Sequence, residues 1–336
     1  MSDSATTSEA TAFGAYEWIR RRLVAVVGEE GLEDGLGTAG YLSEASPLVM
    51  ERLRHHCHHL GGDGPGAYPS PAAGEEVLRR VDALAEVATR ELLAPEPPIL
   101  GAFGAEARGG FHNRDTLAFA EALVGLEQGG ALGHVRSGHE RRVVLELGGG
   151  FGGFARALGA LCPSVTYVIA DRPGRFLLSA PYLMTAFPGA RVHVHDPAAP
   201  EETRERMGDA DLVLVSEDHL AGAELGPVDL TVAVGSLDRL GPDRIEALVE
   251  RARELKSAFL YALVRTGAGV EQDALERVRA AVERRFWLQE TPVVDRRFRR
   301  MLDDLDRPRR KVARPDRAPR EGLEHDHLLG WRRLLP

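Results

Sequence analysis

A short glycine-rich run has the residue types and spacing of a loop that binds a nucleoside-containing cofactor. Gly148, Gly150 and Gly152 alternate with other residues directly after an apolar stretch that contains Glu146. Glycine leaves room for a ligand to approach the backbone and adopts turns that other residues avoid. A helix-forming segment follows, and the free N–H groups at a helix start favour a polar or anionic ligand. The run therefore predicts a strand, a glycine turn and a helix N-terminus around a ligand.

A second carboxylate is predicted to complete this half-site. The apolar stretch 165–170 has the composition of a strand, and Asp171 follows it directly. A carboxylate at that point can accept hydrogen bonds from the hydroxyl groups of a ribose. The other candidate cofactor contacts also follow strand-like stretches: Arg172, Ser216 and Glu217, with Asp196 as an alternative to the last two at the adenine.

The loop spacing fits two cofactors. Glu146-x-Gly148-x-Gly150-x-Gly152 suits S-adenosyl-L-methionine, because the acid then lies near the positive amino group of the methionine part. Gly148-x-Gly150-x-x-Gly153, with an acid about 20 residues further on, matches the dinucleotide fingerprint. A dinucleotide places its diphosphate at the helix N-terminus. The negative charge of Glu146, close to that point, suits a cation better than a diphosphate. A long helical segment also precedes the first strand, which is unusual for a dinucleotide domain.

The wider sequence resembles a known family in several segments that occur in the right order: 144–158, 167–173, 186–190, 211–215, 228–230, 236–240 and 259–265. Over roughly residues 100–270 the chain resembles the class I S-adenosylmethionine-dependent methyltransferases, and within them the sugar O-methyltransferases. The resemblance implies S-adenosylmethionine as cofactor and a hydroxyl of a sugar or another specialised metabolite as acceptor. The chain departs from the family pattern at Arg239, where the family carries Glu, and at Val264, where Asn is usual.

The candidate catalytic residues follow from the reaction that this cofactor supports. Methyl transfer is an in-line displacement that needs an aligned acceptor, and a hydroxyl acceptor must also lose its proton. Ligands of open α/β sheets bind outside the carboxyl ends of the strands, so we expect the site residues just after strands. The candidates for the base are Asp238, His219 and His112. The candidates for substrate contacts are Ser236, Arg239, His325 and His327, the last two folding back from the C-terminal segment.

The alternation of apolar stretches and helical patterns after residue 143 predicts a Rossmann-like, mostly parallel α/β sheet of the class I methyltransferase type. The predicted strands are 143–147, 165–170, 191–195, 211–215, 228–234 and 257–264, with closing antiparallel strands within 286–294. The predicted helices of this part are 153–161, 174–186, 242–255 and 271–284. Four helices are predicted before the sheet, at 13–28, 45–60, 74–93 and 114–128, the last capped by Asn113.

The domain division follows from the same patterns. Residues 1–10 are predicted to be disordered, 11–135 to form a helical cap that contributes to a homodimer, 136–295 to form the catalytic domain, and 296–336 to be an Arg/Pro-rich segment. A length of 336 residues suits one such catalytic domain and a smaller helical part.

The composition limits the classes of partner that the protein is expected to bind. A net charge of −9 argues against general nucleic-acid binding and leaves a small-molecule acceptor. The N-terminus lacks the features of a signal peptide, and no apolar stretch is long enough for a membrane span, so we expect a cytoplasmic protein with reduced Cys57 and Cys162. His55 and His59 share a helix face, but a zinc site needs further ligands, so no metal is predicted.

Two other functions stay open at this stage. One is an NAD(P)-dependent oxidoreductase, which the alternative spacing of the glycines allows. The other is a methyltransferase-like protein that binds the cofactor for a structural, regulatory or different catalytic role, an alternative motivated by Arg239.

Overall fold

The computed structural model describes residues 3–33, 71–97, 99, 104–137, 140–265, 273–289 and 325–333. Its strands are β1 (Ala105–Ala107), β2 (Gly110–His112), β3 (Val143–Leu147), β4 (Thr166–Asp171), β5 (Val192–Val194), β6 (Leu212–Ser216), β7 (Leu230–Val234), β8 (Phe259–Arg265), β9 (Phe286–Gln289) and β10 (His325–Arg332).

The helices surround this set of strands. They are α1 (Asp3–Glu33), α2 (Pro71–Ala85), α3 (Arg114–Gln128), α4 (Ala131–Arg136), α5 (Gly153–Leu161), α6 (Pro173–Ala186), α7 (Pro200–Arg206), α8 (Pro242–Glu254) and α9 (Ala274–Arg285), with 3₁₀ turns at Arg90–Leu93 and Leu237–Arg239. Within the described residues, no helix has both the length and the apolar character needed to cross a membrane.

One eight-stranded sheet organises the molecule, in the order β5-β6-β4-β3-β7-β8-β10-β9. The strands from β5 to β8 are parallel, whereas β10 runs antiparallel to both of its neighbours. Its central strands are apolar and buried on both faces because helices cover both sides. The predicted Rossmann-like, mostly parallel α/β fold is therefore confirmed.

The strand order reverses at β3, since β4 lies on one side of it and β7 on the other. Such a switch point opens a crevice beyond the carboxyl ends of the strands, where ligands of this fold class bind. The glycine run begins where β3 ends, so the sequence signal and the crevice coincide.

The far side of the sheet includes part of the predicted Arg/Pro-rich segment 296–336. Its residues 325–332 form β10, an internal strand between β8 and β9. Its Leu328 and Leu329 are buried on opposite faces of the sheet, in the two hydrophobic cores. This strand was not predicted, because residues 296–320, which are rich in Arg and Pro, dominate the average composition of the segment 296–336.

The helical N-terminal region shares its core with the sheet. α1 packs against α6, and its Tyr16 and Ile19 belong to the same buried cluster as Val144 of β3. Helical backbone begins at Asp3, so the prediction of disorder over 1–10 is wrong for residues 3–10. The described part of this region therefore packs on the sheet as a layer of the same core.

The other predicted N-terminal helices have mixed outcomes. The helix at 114–128 is confirmed, and Asn113 caps it in a reciprocal capping box with Thr116. The helix expected over 74–93 ends at Ala85, and a 3₁₀ turn follows. The helix expected over 45–60 lies outside the described residues.

Candidate functional site

The glycine loop connects β3 to α5 in a backbone conformation that side chains disfavour. Gly148, Gly150 and Gly152 have φ angles of +76°, +56° and +88°. A Cβ at Gly148 would lie 2.6 Å from Cβ of Ser236, so that position is closed by packing. A Cβ at Gly150 would meet nothing within 4 Å, so the loop presents an open side there. The predicted close approach of a ligand to the backbone is possible at Gly150.

Replacing Gly150 with alanine should weaken ligand binding because its methyl group would point into this open side. We expect a loss of about 1–3 kcal/mol in the affinity for S-adenosylhomocysteine, the range for an added methyl in a filled space. The strain of a positive φ should also cost about 1–2 kcal/mol of folding stability.

Gly226 offers a matched control for this substitution. It has a φ of +69°, its Cβ position is also open, and it lies before β7, at the opposite edge of the sheet. Gly226→Ala should cost similar stability and leave the affinity unchanged. Equal affinities of the two variants, measured by calorimetry, would exclude Gly150 from the ligand site.

Asp171 lies against the glycine loop, as the sequence predicted. Its Oδ2 accepts a hydrogen bond from the backbone N–H of Gly150 at 2.8 Å, and its Oδ1 accepts one from the N–H of Arg172 at 2.8 Å. Burial raises the pKa of this carboxyl, and the two N–H donors oppose that shift. The carboxylate is thus held beside the open side of the loop, where a ribose would lie.

The other predicted cofactor contacts lie at the same edge. Ser216 pairs with Asp171 across β6 and β4. Arg172 and Glu217 face each other, with Arg172 Nε 3.5 Å from Glu217 Oε1. Asp196 accepts from the N–H of Ala198 and so stabilises its own turn after β5. Its local hydrogen bond makes Asp196 the weaker of the two alternatives for the adenine.

Glu146 lies beneath the loop rather than facing an open ligand space. Its side chain is buried, and its Oε2 accepts a hydrogen bond from Tyr167 Oη at 3.0 Å. Burial raises the pKa of Glu146 to about 8, with a further increase from Asp171, whereas the Tyr167 bond lowers it. The sequence predicted an ionised carboxylate that binds a cation. The structure instead shows a buried carboxyl that keeps its proton to a higher pH than a free one does.

Two features of the loop fit a cofactor with a polar tail. The first-turn N–H groups of α5 follow Gly152 directly, and no side chain caps them. Ser179 of α6 is buried, and its Oγ has no hydrogen-bond partner in the part of the chain that the structure describes. Its Cβ lies 3.3 Å from where a Cβ of Gly152 would be, so this orphan hydroxyl adjoins the loop.

Ser236 supports the loop. Its Oγ donates a hydrogen bond to the carbonyl of Leu147 at 2.6 Å, which ties the turn after β7 to the end of β3. The sequence predicted a substrate contact for this hydroxyl, but the bond occupies its only proton. Ser236 therefore holds the loop in position.

Asp238 is more buried than expected for a base. Its side chain has no exposed surface, and its Oδ2 accepts from Arg265 Nε at 2.6 Å. Its Oδ1 has no hydrogen-bond partner among the described residues. A carboxylate without exposed surface does not meet an acceptor directly, so the structure makes Asp238 the residue that positions Arg265.

The two histidines proposed as bases have different surroundings. His112 is 2% exposed and bonds to the backbone of Ala107, and burial lowers its pKa. His219 is only partly buried and follows β6. Three strand spacings, about 14 Å, separate β6 from β7, so His219 lies on the β6 side of the loop and not beside Ser236.

The C-terminal histidines are fixed by β10. The backbone of His325 pairs with Arg265 at the carboxyl edge of the sheet, whereas the side chain of His325 lies outside the described part. His327 lies further into the sheet, with Nδ1 2.7 Å from Tyr261 Oη. A Cβ on Gly125 of α3 would meet both groups at 2.9–3.1 Å, so α3 covers this pair. His327 therefore lies against β8 and α3, and its predicted substrate contact stays a prediction.

Sequence analysis missed two arginines at the same edge, Arg175 and Arg265. Arg175 lies in the first turn of α6, where the helix dipole disfavours a cation. That mismatch was readable in the sequence and is a signal of function. Arg265 ends β8, and only the strand boundary places it beside Asp238.

A metal site has no support within the described ranges, which contain no cluster of three or more His, Cys, Asp or Glu side chains suited to a metal ion. His55 and His59, the pair that the sequence singled out, lie outside those ranges.

Comparisons with known proteins return fold likeness only. No protein-family model and no curated protein matches the chain. Solved structures do: the magnesium protoporphyrin IX methyltransferase of Synechocystis PCC 6803 with bound S-adenosylmethionine is 12% identical, with a TM-score of 0.37, over 67% of this chain and 86% of that one.

Two further similar structures are methyltransferases of other substrates. The mitomycin 7-O-methyltransferase MmcR is 14% identical over 66% of this chain and 57% of its own, with a TM-score of 0.30. The N-methyltransferase NodS of Bradyrhizobium japonicum WM9 is 12% identical over 61% and 93%, with a TM-score of 0.31. Likeness at these identities concerns the fold alone.

Proposed function

We propose that the protein is an S-adenosylmethionine-dependent O-methyltransferase that acts on a hydroxyl of a sugar or another small specialised metabolite. The observation that carries the proposal is the open Gly150 with Asp171 hydrogen-bonded to it, at the switch point of the sheet. The acceptor class comes from the sequence resemblance.

The cofactor would use groups that the sheet already positions. Asp171 would accept hydrogen bonds from the ribose hydroxyls, and Ser216 and Glu217 would flank the adenine. The uncapped N-terminus of α5 and the orphan hydroxyl of Ser179 suit the polar methionine part. Glu146, protonated when alone, would ionise beside a cation, because a nearby positive charge lowers a carboxyl pKa.

S-adenosylmethionine supplies a methyl group on a positively charged sulfur. In-line transfer of that methyl group to an acceptor hydroxyl would leave S-adenosylhomocysteine, with the electron pair of the broken bond on sulfur, and the hydroxyl proton would pass to a protein base or to solvent. The protein's contribution in this proposal is orientation of the two reactants. Of the three candidate bases, His219 alone is not buried.

Calorimetry on ligand-stripped protein tests the cofactor, and a labelled methyl donor tests the reaction. We expect saturable binding of S-adenosylhomocysteine, no binding of NAD or NADP, and transfer of labelled methyl to a member of a panel of glycosides and hydroxylated metabolites. Binding of NADP without S-adenosylhomocysteine would instead establish the oxidoreductase alternative.

The buried state of Asp238 and His112 favours a second candidate, a protein that binds the cofactor without turning it over. This candidate predicts the same calorimetric binding and no labelled product from any acceptor. Label transfer that requires the protein, and is inhibited by S-adenosylhomocysteine, would eliminate it.

A further inference from the structure

Three arginines, called here the arginine cluster, share the carboxyl edge of the sheet with the glycine loop. Arg175 lies in the first turn of α6, Arg239 in the 3₁₀ turn after β7, and Arg265 at the end of β8. Each follows the carboxyl end of a different strand. In an open α/β sheet, this is the edge at which ligands bind.

The arginines of this cluster are close enough to repel one another. Burial lowers the pKa of Arg239, and Arg265 lowers it by more than Asp238 raises it. Arg175 likewise lowers that pKa by more than Asp115 raises it. Arg239 therefore has two other arginines near it as well as two acids.

Two members of the cluster, Arg265 and Arg175, also have hydrogen-bond donors to spare. Arg265 uses Nε for Asp238, and its two terminal nitrogens have no hydrogen-bond partner within the described part of the chain. Arg175 is half-buried and makes no hydrogen bond there, and its positive charge lowers the pKa of the nearby Asp171 carboxyl. Surface arginines of this chain usually pair with acids, as Arg279 does with Glu283.

The position of the Arg265 side chain is fixed by its neighbours before any ligand binds. Asp238, without exposed surface, holds its Nε, and the backbone at Gly235 leaves room for its aliphatic part, with Cδ 3.7 Å from a Cβ position there. The Arg265 side chain is 31% exposed. A guanidinium that is fixed at Nε and open at its tip is suited to bidentate binding of a planar or tetrahedral anion.

We propose that the arginine cluster binds an anionic group of the methyl acceptor, a carboxylate or a phosphate. The inference rests on the proposed function, since it narrows the acceptor to an acidic or phosphorylated sugar or metabolite. The cofactor brings a carboxylate of its own, on the methionine part, and the experiment must separate that source from the acceptor.

Pyrophosphate is a suitable probe because it is an anion without a methyl-accepting carbon skeleton. We would titrate it by calorimetry into protein saturated with S-adenosylhomocysteine, at constant ionic strength set with chloride. Wild-type protein should bind it, and Arg239→Gln and Arg175→Gln should each weaken that binding roughly tenfold or more, as expected for a lost hydrogen bond between charged groups. Affinity for S-adenosylhomocysteine should change less than threefold in Arg239→Gln, and in Arg175→Gln, which also removes a positive charge near Asp171, it should change less than the affinity for pyrophosphate.

Arg279→Gln is the control, because it removes a surface guanidinium of α9 that already has an acidic partner. It should change neither affinity, and thermal melts should confirm that all variants fold. Pyrophosphate that fails to bind the wild-type complex, or binds all variants equally, would overturn the inference while the proposed function stands.

Two other outcomes are informative. If the Arg239 and Arg175 variants lose S-adenosylhomocysteine, and pyrophosphate binds only the cofactor-free protein, the cluster holds the cofactor's carboxylate and the inference is wrong. If wild-type protein does not bind S-adenosylhomocysteine at all, the proposed function fails first, and the acceptor assignment fails with it.

Discussion

Replacing Asp171 with alanine should weaken the binding of S-adenosylhomocysteine by about 1.5–3 kcal/mol, the usual value of hydrogen bonds to a charged group. This corresponds to roughly a ten- to 150-fold increase in Kd. The expected effect is large because Asp171 would accept from the ribose and already accepts from Gly150.

The substitution has a second effect that needs its own control. Alanine also leaves the N–H of Gly150 without its acceptor, so the loop itself can move. Asp171→Asn keeps an oxygen for that N–H and removes the charge. We expect Asn to retain most of the thermal stability and an intermediate affinity. Unchanged affinity in both variants, by calorimetry at pH 7, would remove Asp171 from the site and with it the cofactor assignment.

Replacing Glu146 with glutamine should change how folding stability depends on pH. Burial raises the pKa of Glu146 in the folded protein to about 8, whereas its ordinary value is 4.5. The folded protein therefore holds a proton that the unfolded chain releases above pH 4.5. Stability from this residue is complete below pH 4.5 and falls as pH rises to 8, by on the order of 4–5 kcal/mol.

Glutamine cannot ionise, and its amide oxygen can still accept from Tyr167. The variant should thus lack this loss and be more stable than wild type at pH 8–9, with little difference at pH 4–5. Urea denaturation at a series of pH values would measure both. Tyr167→Phe is a useful companion, because it removes the one hydrogen bond that favours the ionised form and should raise the Glu146 pKa further. Parallel pH curves for wild type and Glu146→Gln would show that Glu146 titrates normally.

The sequence was sufficient where local pattern and chemistry coincide. The glycine run, the strand before it and Asp171 were predicted together, because a turn with positive φ at three positions needs glycine. The capping box at Asn113 was equally local. Such features involve neighbouring residues, so spacing alone indicates them.

Other features of the site depend on distant contacts. Asp238 could be placed after a strand, but its burial depends on Arg265, 27 residues away. The position of His327 depends on Tyr261, 66 residues away, and on the close approach of α3 at Gly125. These contacts form only when the sheet is assembled, so the periodicity of a single helix or strand does not predict them.

The place of β10 in the sheet also affects how the chain can mature on the ribosome. The first strands can pair as they emerge, but the edge of β8 stays uncovered and β9 stays without a neighbour until residues 325–332 have been made. An uncovered edge strand is a template for misassembly between nascent chains. A chain whose synthesis stops before this strand would thus contain the glycine loop and Asp171, but it would expose the unpaired edge of β8, which favours aggregation.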